Sequence, residues 1–333
     1  MASQARELAD KSIAPPGRRN LIINGAMNVA QRGTSSTASD YRTVDRWRNN
    51  FGGVSLTQSQ ESLTSGEPFD KGFRKFLRLT QSGSSAAATD FVQISQRIEG
   101  LNAAASGWNY KSAGGFITAS FWVRSSLAGT YYVYMQTRSG SGDGYINSPF
   151  TISANTWTKV SFSFAGNSSL NIDNDNSSGI EFRVVPYYGT NYTSSAVISD
   201  DWYFSTSSGE LPDYAQNWCA ASGATFDVTG LQLEVGSVAT EFEHRSYGEE
   251  LALCQRYYYK TNTDRRATLA RSDRMDVQID FPVQMRTTPS ISASGTVSFS
   301  TEQVGIDSMT FEYAGGVSGG NRILQSATAD AEL

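Results

Sequence analysis

The sequence predicts an all-β protein: a jelly-roll β-sandwich followed by a smaller C-terminal β domain, with an extended N-terminal arm. Three observations lead there. Residues 226–245 read FDVTGLQLEVGSVATEFEHR, with apolar Phe226, Val228, Leu231, Leu233 and Val235 set between polar Asp227, Thr229, Gln232 and Glu234. Apart from a slip at Gly230, this is the period of a strand with one buried face. Before it run roughly ten short alternating segments bounded by Gly, Ser and Asn, with no long helical pattern between them. After Tyr247 the texture changes, so the 226–245 stretch is read as the last strand of one domain and the hinge into the next.

Length and composition set the outer bounds. A chain of 333 residues has room for two domains and a substantial core. Tyr, Phe and Trp are plentiful (16, 17 and 6) and only 18% of residues are charged, which favours short strands joined by polar turns. The net charge of −5 lends no support to nucleic-acid binding. Cys219 and Cys254 lack a metal-type spacing and read as free buried thiols. No apolar run reaches the length of a membrane span, and the N-terminus lacks a signal-peptide core. The chain is therefore expected to be made in the cytosol and used without Sec export.

Taken in order, residues 1–19 carry one short helix-compatible segment and then Pro15-Pro16-Gly17. Too few apolar residues are present for a core of their own, so the tail is either a disordered terminus or an arm that orders on a partner. In the second case Arg6, Leu8, Ile13 and Arg18 are its contact residues. Residues 20–30 (NLIINGAMNVA) form the first strand-like block, with Asn24-Gly25 as a turn signal. Trp47 reads as a core anchor whose charged neighbours face out. Strands are then expected over 54–60, 76–81, 91–98, 116–124, 131–137, 158–164, 180–185 and 196–198. Beyond Tyr247, Ser246 and Glu249 are spaced for a capping box, and Leu251, Cys254 and Tyr258 share a helical face. Tyr257-Tyr258-Tyr259 equally suits the start of a strand. Alternation resumes at 267–269, 275–281, 291–300, 309–313 and 323–325. A region of about 85 residues with short strands is marginal alone, so a second buried face from another copy would cover its apolar rows, such as Met275, Val277, Ile279 and Phe281.

The blocks NLIINGAMNVAQRG, DRW, FDVTGLQLEVGSVATEFEHRSYGEELALCQRYYYK and FPVQMRTTPS resemble bacteriophage virion proteins of the tail-fibre or minor structural type. The resemblance spans most of residues 20–290. It implies a jelly-roll domain like carbohydrate-binding modules (20–246), then a small oligomerising β domain (247–333), in a homotrimeric fibre. The arm (1–19) would dock on a tail or adaptor protein, and the sandwich would meet host cell-surface glycans. The implied place is the virion, assembled in the host cytoplasm. A capsid-attached fibre or decoration protein is the runner-up, followed by a polysaccharide depolymerase and a cellular carbohydrate-binding module.

Sugar recognition needs aromatic faces for the apolar side of pyranose rings and polar groups for the hydroxyls. The loop-like segment 186–192 supplies Tyr187, Tyr188 and Tyr192, and Trp202 follows; Trp108 and Tyr110 form a second group. Filling the core or an interface is the ordinary alternative for such rings. No G-x-S-x-G occurs, and the single histidine, His244, has no nucleophile signal beside it, so no catalytic residue is assigned. The acid pairs Asp200/Asp201, Asp173/Asp175 and Glu241/Glu243 read as solvated loop acids before they read as a hydrolase dyad. Segment 171–179 crowds oxygen ligands but departs from the EF-hand pattern and reads as an Asx turn. The resemblance makes Asn24 and Asp227 conceivable calcium contributors, yet no ligand motif supports them. No metal and no cofactor are assigned.

Overall fold

The computed structural model describes residues 19–139, 142–207, 209–261, 265–268, 274–296, 298–314 and 321–333. The proposed contact residues of the arm, Arg6, Leu8, Ile13 and Arg18, lie outside the described residues.

Eleven strands precede residue 236: β1 (Ser35–Ser36), β2 (Arg48–Gly52), β3 (Leu56–Ser62), β4 (Lys75–Gln81), β5 (Phe91–Glu99), β6 (Phe116–Ser125), β7 (Gly129–Thr137), β8 (Tyr145–Ile152), β9 (Thr158–Ala165), β10 (Ser178–Tyr188) and β11 (Thr225–Val235). Two short helices interrupt them, α1 (Glu67–Asp70) and α2 (Gly100–Ala104). The strands make a six-stranded sheet in the order β1-β3-β4-β11-β6-β9 and a five-stranded sheet in the order β2-β5-β10-β7-β8. All pairings are antiparallel. Only β3–β4 and β7–β8 are neighbours in both sequence and sheet; elsewhere the chain crosses between layers, which is the jelly-roll sandwich expected. Facing rows such as Ile117, Ala119, Phe121 and Val123 of β6 and Ile180, Phe182 and Val184 of β10 fill one core.

β11 shows why the pattern slips. Phe226 and Val228 point into the core, and so do Leu231 and Leu233. The parity change is a β-bulge: Thr229 pairs with Trp122 and Gln232 with Ser120, so β11 spends one residue more than β6. Gly230 sits there at φ 65, and a Cβ on it would meet the Phe73 ring at 2.6 Å. Only glycine meets both demands.

Segment 20–30 is not a strand. It is buried coil at one end of the sandwich, held by side-chain amides in place of a ladder. The Gln96 amide bonds both the N–H and the C=O of Ile23, each at 2.7 Å. Asn24, at φ 58, accepts from Val29 N and donates to the Val29 and Asp45 carbonyls. Asn20 likewise accepts from Ile22 N and Leu233 N. Trp47 is the expected core anchor at 0% exposure, but its neighbours Asp45 and Arg46 are also buried, each 1% exposed. They are tolerated because they are paired. Asp45 accepts from Gln31, and Arg46 pairs with Glu332 while lying 3.5 Å from the centroid of the Tyr257 ring. Segment 196–198 forms no strand, and Ile198 is 72% exposed.

The C-terminal part starts with α3 (Tyr247–Gln255), where the capping box forms between Ser246 and Glu249. Cys254 is buried on its inner face, whereas Tyr258 belongs to the following strand. The strands are β12 (Tyr258–Lys260), β13 (Arg265–Thr268), β14 (Arg274–Asp280), β15 (Ser290–Gly295), β16 (Ser300–Val304), β17 (Ser308–Ala314) and β18 (Asn321–Asp330). β18 pairs with β12, β13 and β15, and β17 lies between β14 and β16. Val277, Ile279 and Phe281 are already buried here, with Met309, Phe311 and Leu324. Within one chain this row is covered, contrary to the expectation that a second copy is needed for it; the Met275 side chain lies outside the described residues. The seam to the sandwich combines an apolar cluster of Ile23, Val29, Cys254 and Tyr257 with ion pairs: Arg256 grips Glu99 through two bonds of 3.0 and 2.9 Å, Tyr257 donates to the same carboxylate, and Arg32 pairs with Asp330.

Candidate functional site

A sandwich has two outward faces, and strand parity decides what each displays. On the five-stranded sheet the outward residues include Ser95 and Arg97 of β5, Tyr132, Tyr134 and Gln136 of β7, and Glu181 and Arg183 of β10. Segment 189–216 folds back over this face. Tyr203 stacks on Tyr145 at 5.6 Å, Tyr214 meets Tyr132 edge-on at 5.0 Å, and the Tyr214 hydroxyl donates to the Val185 carbonyl. Beneath it Glu181, 1% exposed, sits among Arg97, Arg138 and Arg183 at 3.3, 3.0 and 3.3 Å. Burial alone pushes its carboxyl up, but the three guanidinium groups outweigh burial and hold it at about 2.

The four rings nominated from the sequence do not converge on a platform. β10 continues through Tyr188 with a register shift after Val184, so 186–188 is strand and not loop. Tyr187 and Tyr188 are 9% and 4% exposed, and the Tyr188 hydroxyl donates to Gln93. Burial pushes the Tyr188 phenol up. Tyr192 is half-buried between Phe91 and Tyr188, each 5.6 Å away. Trp202 is half-buried elsewhere, its indole N–H donating to the Ala165 carbonyl. Trp108 is core, with Tyr110 packed beside it.

The six-stranded sheet presents a different surface. Phe76 and Arg78 of β4, Trp122 and Arg124 of β6 and Asp227 of β11 point outward, with Trp157 beside them from the turn before β9. Asp227 is fully buried and held from both sides: Arg78 Nε and Nη2 donate to Oδ1 and Oδ2 at 2.7 and 2.9 Å, and Arg124 Nε and Nη2 both donate to Oδ2 at 2.9 and 2.7 Å. The two guanidinium planes are thereby fixed beside rings, Arg124 lying 4.6 Å from Trp157 and Arg78 5.2 Å from Phe76. Trp157 meets Phe76 edge-on at 5.6 Å and is only half-buried, and the two arginines are 30% and 27% exposed. Next to this group lies a cavity of about 150 Å³. Phe73, Trp122 and Phe242 form its apolar walls, and Lys71, Lys159, Glu241 and His244 bring charge or a ring nitrogen to it. His244 Nε2 is 3.0 Å from the Lys71 carbonyl, so it carries the proton and donates. The aromatic, lysine and arginine residues of this face escaped the sequence reading, whereas Asp227, Glu241 and His244 entered it in other roles. The signal was there in Phe76-Leu77-Arg78 and Trp122-Val123-Arg124, each of which puts an aromatic and an arginine on one strand face.

The other nominated groups have internal uses. Asp175 Oδ1 accepts from Ser177 N, the expected Asx turn, and the Ser177 and Asp175 carbonyls accept from Gly100 and Leu101 at the start of α2. Asp200 accepts from Ser148, and Glu243 pairs with Arg245 at 3.0 Å. Asn24 is consumed by its own loop and Asp227 by two arginines. Among the described residues no group of three or more His, Cys, Asp or Glu is arranged to hold a metal ion. Both cysteines are free and buried.

No protein-family model and no curated protein matches the chain. Among solved structures, it is similar to the enzymatically active domain of tailspike protein 4 of bacteriophage CBA120 (10% identity, TM-score 0.35, 65% of this chain and 21% of that one). It is also similar to the xylan-binding CBM22-1 domain of Paenibacillus barcinonensis Xyn10C (11%, 0.31, 62% and 94%). A third is the family 11 carbohydrate-binding module of Clostridium thermocellum Lic26A-Cel5E (14%, 0.31, 64% and 98%). The chain thus spans about a fifth of the tailspike chain and nearly all of each binding module.

Proposed function

We propose that this protein is a non-catalytic, glycan-binding component of a bacteriophage particle, a homotrimeric tail fibre that docks through residues 1–19 and meets host surface glycans with the outer face of its six-stranded sheet. One observation carries the glycan reading: Trp157 stands half-open, backed by the buried Phe76 ring, beside two guanidinium groups locked by a buried carboxylate. Rings take the C–H face of a pyranose, and pre-oriented N–H donors meet its hydroxyls without first losing side-chain freedom. The virion reading draws on the 20–33 and 226–290 sequence blocks and on the Pro-broken arm ahead of them. Assembly through residues 247–333 is supported by an open cleft of about 640 Å³ along α3, with Tyr247 60% exposed on the same helix.

Purified protein should saturate host cells and block particle adsorption, and periodate oxidation of the cell-surface sugars should abolish both effects. Binding that survives periodate and disappears with protease treatment of the cells would replace the glycan reading with a protein receptor. Light scattering on the full chain should give three protomer masses. Deletion of 1–19 should leave that mass unchanged and remove the protein from particles.

A further inference from the structure

The cavity beside the Arg78–Asp227–Arg124 group has the shape and charge of a site for one particular kind of sugar. Its volume, about 150 Å³, matches that of an engineered protein cavity that admits benzene, so it takes the ring of at most one sugar and leaves the ring substituents at its mouth. Four aromatic side chains wall it, and three of them hold one another in place. Phe73 and Phe242 meet edge-on at 4.8 Å, and His244 lies 5.0 Å from Phe73 and 4.9 Å from Phe242. The β11 bulge adds to the space, because Gly230 lines the cavity with no side chain.

The charges around it are unbalanced. Lys71 and Lys159 are exposed in the lining, and neither ammonium has an ion-pair partner among the described residues. The arginines of the same face differ, being committed to Asp227. Lys159 stands opposite Trp122 in the β6–β9 ladder, so the cation flanks the aromatic wall. Four cations (Lys71, Lys159, Arg78 and Arg124) outnumber three carboxylates (Asp227, Glu241 and Glu61, which acts on Arg78) on a chain whose net charge is −5. A positive spot on an acidic molecule favours an anion. The Ser120 hydroxyl in the lining hydrogen-bonds no described residue, and Glu241 offers an acceptor for sugar hydroxyls.

We infer that this cavity binds an anionic sugar, a pyranose bearing a carboxylate, with the ring against Trp122 and Phe242 and the carboxylate between Lys71 and Lys159. The inference rests on the glycan-binding reading and narrows it to acidic glycans.

Calorimetry at low ionic strength would compare oligosaccharides ending in galacturonate, glucuronate or sialic acid with their methyl esters, which keep the ring and remove the charge. The wild-type full chain should bind at least one acid about tenfold more tightly than its ester, with a preference that shrinks as salt is added. In the Lys71→Ala/Lys159→Ala variant both altered side chains are exposed, so the fold should be retained. Acid and ester should then bind within about twofold of each other, at the wild-type ester affinity. Equal wild-type affinity for acids and esters would overturn the acidic-sugar inference and leave glycan binding standing. Binding of no oligosaccharide in a broad panel, neutral ones included, would remove both.

Discussion

The two outward faces of the sandwich share a chemistry and differ in what covers it. On each, a carboxylate that is nearly or fully buried is gripped by arginines beside aromatic rings: Glu181 among Arg97, Arg138 and Arg183, and Asp227 between Arg78 and Arg124. Over the five-stranded sheet, segment 189–216 lays Tyr203, Leu211 and Tyr214 on the outward rings, so Tyr134, Tyr188, Glu181 and most of Arg183 become interior while Arg97 and Arg138 still reach water at the margin. Over the six-stranded sheet Trp157 stays half-open and the arginines keep one edge toward water. The same group of side chains is therefore structural where the chain covers it and available for recognition where it does not. Residue type alone does not separate the two cases.

The largest effect should come from breaking the covered cluster. Glu181→Leu leaves the largely buried Arg183 with only Glu210, 3.2 Å away, as a carboxylate partner and should cost about 3 kcal/mol in denaturant unfolding, at the low end for a buried pair because Glu210 remains and Arg97 and Arg138 reach water. The same cluster sets a pH response. The Glu181 carboxyl titrates at about 2 in the folded chain against 4.5 ordinarily. Its stabilisation is fully present above pH 4.5 and is lost as pH falls through about 2, a total of about 3 kcal/mol at most. Acid unfolding of wild type should steepen in that window, and Glu181→Leu should flatten it. An unchanged acid profile would detach the cluster from stability.

Tyr188→Ala sharpens the contrast from the ring side. Tyr188 is 4% exposed and bonded to Gln93, so truncation should lower stability by about 3 kcal/mol. Trp157→Ala, on the half-open face, should cost under about 1 kcal/mol by the same measurement. Comparable losses would mean that Trp157 is as structural as Tyr188.

Much of the sandwich was legible because apolar and polar residues alternate along its strands, even in β11, where polar Asp227, Thr229, Gln232 and Glu234 are buried as well. β6 and β11 could be read residue by residue, and the slip at Gly230 marked a real bulge. Legibility failed where polar groups do the work of a ladder or a core. Segment 20–30 has strand composition but spends backbone bonds on the side chains of Asn20, Asn24, Gln96, Glu243 and Glu250, partners up to 226 positions away. Asp45 and Arg46 are buried because the residues just after β18 and just after α3 supply Glu332 and Tyr257, which local spacing does not announce. β8 was missed because it contains Pro149, which is tolerated there because β8 is an edge strand. The nominated tyrosines were chosen by type, whereas parity and the covering segment decide exposure. Outward Phe76, Arg78, Trp122 and Arg124 were readable from parity once their strands were assigned.

The central claim is that the open face, and not the covered one, binds sugar. It is tested most directly by titrating one bound oligosaccharide into wild type, Trp157→Ala and Tyr192→Ala, each first shown to be folded. Trp157→Ala should weaken binding at least about tenfold, about 1.4 kcal/mol, while Tyr192→Ala should leave it within about twofold. Loss of binding in Tyr192→Ala with none in Trp157→Ala would contradict the account and return the site to the five-stranded sheet.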